Sequence, residues 1–152
     1  MGESFTYESF LDRYGRLTYR VVGTSMLPLL RQTKDLFIAE PKTDARCKVG
    51  DVVLFRRGPD KYILHRVIAV NERDYTTLGD HCVNPEYGVT DADVLAVMTG
   101  FVRGGKEHSV NERGCRLYTA IWLHTGGLRV FLFRLKATAA RAFRKIFPKK
   151  HA

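Results

Sequence analysis

The spacing of apolar positions changes character twice along this chain. From Ser4 to Tyr14 the pattern reads as one short helix, with Phe5, Phe10, Leu11 and Tyr14 as its apolar contacts. Leu17 to Val22 reads as a strand that runs into the turn Gly23-Thr24-Ser25-Met26-Leu27-Pro28. Met26 to Leu30 is expected to open a short helix, because proline is tolerated in a first helical turn. Beyond it the pattern turns β-like, in the runs Leu36–Ala39, Asp51–Arg56, Tyr62–Val70, Tyr75–Leu78 and Val94–Arg103. Each is short and rich in β-branched and aromatic residues. They are divided by the turn signals Lys48-Val49-Gly50-Asp51, Arg57-Gly58-Pro59-Asp60, Asn71-Glu72-Arg73-Asp74 and Gly104-Gly105. This punctuation predicts a mainly β, antiparallel domain, with Arg57-Gly58-Pro59-Asp60 as the turn of a hairpin.

The second change comes near the C-terminus. Leu128, Phe131, Leu132, Leu135, Ala139, Ala142, Phe143 and Ile146 recur on one face at the helical period, with basic residues on the flanks, and Pro148 ends the run. The expected organisation is a short helical segment over 1–20, a β domain over 21–112 and a helical basic tail over 113–152. A length of 152 residues, 45% of them hydrophobic, suits one domain with a real core.

Charge adds one distinction. The net charge is +9, and Leu128–Ala152 holds eight basic and no acidic side chains, so the rest of the chain is nearly neutral. A nucleic-acid surface on the β domain is therefore not expected. The basic helix Leu128–Phe147 either lies on an anionic membrane surface or packs on the β domain with its charges in water. The N-terminal stretch is acidic and polar, unlike a secretory signal. No run reaches the roughly 18 apolar residues of a membrane span. The nearest, Leu117–Phe133, is interrupted by His124, Gly126-Gly127 and Arg129. A cytoplasmic or peripheral membrane location is expected. Cys47, Cys82 and Cys115 are odd in number and form no CxxC pair. A disulfide framework and a zinc site are not expected, and thiols in a reducing compartment are.

Ser25 is the first candidate for chemistry. A serine is a poor nucleophile unless a base takes its proton and donors stabilise the oxyanion. A bend at Gly23 would expose its side chain, but a serine before proline is more commonly a helix cap. His65 lies within Leu64-His65-Arg66-Val67-Ile68, where alternation puts Ile63, His65 and Val67 on one face and Leu64, Arg66 and Ile68 on the other. A strand holds an imidazole rigidly and desolvation favours its neutral form, which suits a general base and equally suits a core histidine. Asp80 and Glu86, in a loop after a strand, are carboxylates that could orient that imidazole. Lys61 shares the face of His65 by parity.

Taken in order, Gly23-Thr24-Ser25-Met26-Leu27-Pro28, Val49-Gly50-Asp51-Val52-Val53-Leu54-Phe55, Leu64-His65-Arg66-Val67-Ile68 and Leu78-Gly79-Asp80 resemble the boxes of signal peptidase I, over about Val21 to Gly100. The histidine of His65-Arg66-Val67 is similar to the branch found in the endoplasmic reticulum and archaea, where the bacterial housekeeping enzymes carry lysine. The resemblance implies a signal-peptidase/LexA-like β catalytic fold and a serine endopeptidase that cleaves a protein or peptide precursor after small side chains. It implies Ser25 as nucleophile, His65 as base and Asp80 or Glu86 as the third member, Asp80 being slightly favoured by residue type, with no metal or organic cofactor. Gly23 offers no hydroxyl for an oxyanion hole, so the backbone N–H of Ser25 is expected to serve. A membrane span usually precedes the serine box in this family, and the short segment here suggests a soluble or peripheral variant with a dedicated precursor. A repressor-like autopeptidase is a weaker alternative, since no DNA-binding domain fits before Ser25. A second alternative is a peptidase fold kept without catalysis as a binding module, its tail contacting membrane or nucleic acid.

Overall fold

The computed structural model describes residues 6–59 and 61–128, and positions 131, 135, 136 and 138. The elements are α1 (Tyr7–Tyr14), β1 (Leu17–Arg20), β2 (Asp35–Pro41), β3 (Val52–Arg57), β4 (Lys61–Val70), β5 (Asp74–Leu78), β6 (Glu86–Thr90), β7 (Val94–Arg103), β8 (Lys106–Ser109) and α2 (Arg113–His124). Helix α1 starts where Thr6 caps the Ser9 amide, and stops where Gly15 takes a left-handed conformation and donates its N–H to the Leu11 carbonyl.

Among the described residues eight strands form one antiparallel sheet, seven of them in the order β1-β2-β7-β3-β4-β5-β6 and β8 beside β7. The long strand β7 carries β2 on one edge. On its other edge β3 pairs with the first half and β8 with the second. The protein is thus mainly β with a C-terminal helix. The two faces of β3 and β4 feed two separate cores, as a period of two requires. One joins Leu11, Leu17, Met26, Leu30, Phe37, Leu54 and Met98, with Tyr62 and Leu64 packed against it. The other joins Val53, Phe55, Val67, Tyr75, Val89 and Val94, with Ile63 at its margin.

The strands expected from the pattern all form, and β3 and β4 pair as the hairpin around Gly58. Two strands carried no such signal. In β6 only Val89 is buried and Gly88 sits at φ +69°; β8 is Lys-Glu-His-Ser with no buried residue. Both are held by pairing with a neighbour, not by an apolar face of their own. Met26–Leu30 is not helical. Pro28 has no N–H to return to Thr24; Leu27 donates to the Thr24 carbonyl instead, and the segment becomes consecutive turns with a cis Leu27–Pro28 bond. The helix expected over Leu128–Phe147 lies outside the described residues except at positions 128, 131, 135, 136 and 138.

Candidate active site

Separated from β1 by two residues, the turn that carries Ser25 begins at Gly23, whose φ of +85° is in the left-handed region that favours glycine. Asp35 closes this loop at its far end. It is fully buried, takes hydrogen bonds from the Arg31 amide (2.8 Å) and Arg103 Nη2 (2.6 Å), and Arg103 also donates to the Leu29 carbonyl (2.7 Å). Burial alone would raise the Asp35 carboxyl. The bonds from Arg103 and Arg31 outweigh it and hold the group far below the ordinary carboxylate range. The loop is pinned at its near end as well, because the Ser25 carbonyl accepts the His81 amide at 2.8 Å.

His65 projects from the middle of β4, opposite Val53, with only 8% of its surface exposed and its ring edge-on to Phe55. Its Nε2 and the Ser25 carbonyl oxygen both lie close to Gly79. A methyl group built on Gly79 would stand 2.8 Å from the Ser25 carbonyl oxygen, 3.0 Å from His65 Nε2 and 2.8 Å from Cys82 Sγ. Only glycine lets the loop after β5 approach both groups this closely. The other ring nitrogen, Nδ1, faces Glu86 Oε1 at 3.9 Å. That separation is an ion-pair distance, too long for a hydrogen bond. Among the described residues, His65 Nδ1 and Thr77 Oγ1 are the buried polar side-chain atoms without a hydrogen-bond partner. Thr77 lies beside Glu86 in the β5–β6 register, so both orphaned atoms belong to one neighbourhood. Burial pushes the His65 pKa below its ordinary value, against the opposing charges of Glu86 and then Asp80. Burial thus favours the neutral imidazole over its cation.

The two candidate carboxylates separate. Asp80 is 2% exposed and receives Arg66 Nε and Nη2, each at 2.8 Å, and the Tyr118 hydroxyl at 2.8 Å. Trp122 Nε1 donates to its carbonyl at 3.1 Å. The cause lies in strand alternation: Arg66 is the neighbour of His65 and points to the opposite face, toward α2, and it takes Asp80 with it. Glu86 opens β6 on the side of His65, and its second oxygen is held by Arg57 Nε at 3.2 Å. Lys61, at the exposed start of β4, lines the same space.

Ser25, His65, Glu86, Lys61 and Arg20 line a cavity of about 350 Å³ together with the apolar or aromatic Tyr7, Phe37, Leu54 and Tyr62. Tyr7 brings α1 over this space, edge-on to Tyr62 at 4.7 Å between ring centres, and Glu8 accepts the Tyr62 hydroxyl at 2.9 Å. A larger cavity, about 540 Å³, lies between α2 and the sheet and contains none of these polar groups. Among the described residues no cluster of His, Cys, Asp or Glu could hold a metal, and no helix is long and apolar enough to cross a membrane.

Comparison of the chain with protein-family models, curated proteins and solved structures returned no match. Sequence reading overlooked the clamp made by Arg66, Tyr118, Thr119 and Trp122. The parity of Arg66 was the available signal, since a guanidinium on a strand face opposite the candidate base needs a buried acid of its own.

Proposed function

We propose that this chain is a serine endopeptidase of the signal-peptidase type, with the signal-peptidase/LexA-like catalytic fold, acting on a protein or peptide precursor through Ser25 and His65. One observation supports the reading: the buried imidazole of His65 has Nε2 beside Gly79, which also adjoins the Ser25 carbonyl, and Nδ1 3.9 Å from Glu86, and Ser25, His65 and Glu86 line a single cavity.

In this mechanism His65 Nε2 takes the Ser25 hydroxyl proton as Oγ attacks the scissile carbonyl, and returns it to the departing amine. The carbonyl oxygen, negative in the tetrahedral intermediate, is stabilised by the backbone N–H of Ser25. Water then attacks the acyl-enzyme by the reverse sequence. Glu86 is assigned as the group that stabilises the imidazolium, because Asp80 is already committed to Arg66. The orphaned Nδ1 supports this, since a small inward movement of Glu86 would satisfy it, and catalytic hydrogen bonds often tighten only once substrate binds. The apolar walls suit an extended precursor segment with apolar side chains near the cut.

The pH profile distinguishes this assignment. Protonated His65 cannot act as base, so cleavage is lost as pH falls through its pKa, and burial places that limb below the ordinary histidine value. Glu86 favours the imidazolium; Glu86→Gln should therefore move the acid limb of kcat/KM to lower pH, and Asp80→Asn should move it less. The assay is digestion of a peptide pool, with cuts read by mass spectrometry. An acid limb that rises in Glu86→Gln would contradict the assignment.

A further inference from the structure

Helix α2 has two faces with different occupants. Its inner face is committed to the domain: Tyr118 and Trp122 bond Asp80, and Thr119 accepts Arg66 Nη1 at 3.1 Å. The outer face carries Leu117 and Ile121, one turn apart and 62% and 55% exposed. Helical residues continue at 126–128, 131 and 135, and there Leu128, Phe131 and Leu135 are exposed to the same degree. Leu117 and Ile121 share one face of α2, and beyond the Thr125 cap Leu128, Phe131 and Leu135 repeat at the three- and four-residue spacing of a helix. Large apolar side chains left in water over such a length mark an interaction surface.

Charge identifies the occupant. From Arg113 to Ala152 the chain has ten basic side chains and no acidic one, and Arg113 and Arg116 are exposed on α2 itself. A second copy of this face would set like charge against like charge. Nucleic acid would satisfy the charges but would have no use for the apolar side chains. An anionic bilayer satisfies both, the apolar side chains entering the acyl boundary and the basic groups meeting the headgroups. We propose that the outer face of α2, together with the exposed Leu128, Phe131 and Leu135, is a docking surface for an anionic lipid bilayer. The helix that docks would then be the one whose inner face holds the loop beside Ser25.

The test is co-sedimentation of the full chain with vesicles of phosphatidylcholine alone or mixed with phosphatidylglycerol. Wild type should pellet only with the anionic vesicles, and less at high salt. Leu117→Glu combined with Ile121→Glu should weaken pelleting by about tenfold or more. Both side chains are exposed, so thermal melting should match wild type, and Leu128→Glu provides an independent second variant. Equal pelleting of wild type and both variants would overturn the proposal. So would failure of wild type to pellet, whether accompanied by a dimer in sedimentation velocity or by binding of an oligonucleotide.

Discussion

His65→Ala should lower peptide cleavage by on the order of 10⁴-fold or more, the scale of losing the base from a serine peptidase site. The fold should survive. The imidazole is buried, but its Nδ1 bonds to nothing, so truncation strands no partner and leaves only a modest cavity beside Phe55. The fall in Tm should be no more than about 5 °C. This combination separates a base from a core histidine, whose removal would cost stability and spare chemistry. If His65→Ala retained activity and Lys61→Met lost it, Lys61, which lines the same cavity, would be the base.

Asp80→Asn should do the reverse. The carboxylate takes two bonds from Arg66 and one from Tyr118 with almost no solvent access. Asparagine keeps the shape but leaves the Arg66 guanidinium buried without a counter-charge. Breaking one side of a buried ion pair costs about 3–5 kcal/mol, which for a chain of this size is a fall in Tm on the order of 10 °C. Chemical denaturation of Asp80→Asn and Glu86→Gln side by side would measure it, with Glu86→Gln expected near wild type. A stable Asp80→Asn protein without activity would make Asp80, not Glu86, the partner of His65.

These two variants also mark where the sequence was readable. Runs of β-branched and aromatic residues between turn signals placed β3, β4 and β7, which bury much of their length, and alternation put His65 and Arg66 on opposite sides of β4. It could not place β6 or β8, whose polar residues are ordered by ladder bonds to a neighbouring strand. Residue type favoured Asp80 over Glu86 in the sequence. In three dimensions the carboxylate nearer the imidazole is set by which face each reaches, and Asp80 follows Arg66 toward α2. That choice depends on Tyr118 and Trp122, some 40 residues downstream, whose contact with the loop no local pattern announces. The Ser25 turn was recognisable from Gly23 and Pro28, but the closeness of the loop to His65 depends on the missing side chain of Gly79.

Covalent labelling tests most directly whether Ser25 is a nucleophile activated by His65. The full chain would be incubated with a serine-reactive fluorophosphonate and examined by intact-mass and peptide mass spectrometry. The expected result is a single adduct on Ser25, absent from Ser25→Ala and strongly reduced in His65→Ala. An unlabelled wild type, or equal labelling of wild type and Ser25→Ala, would contradict it.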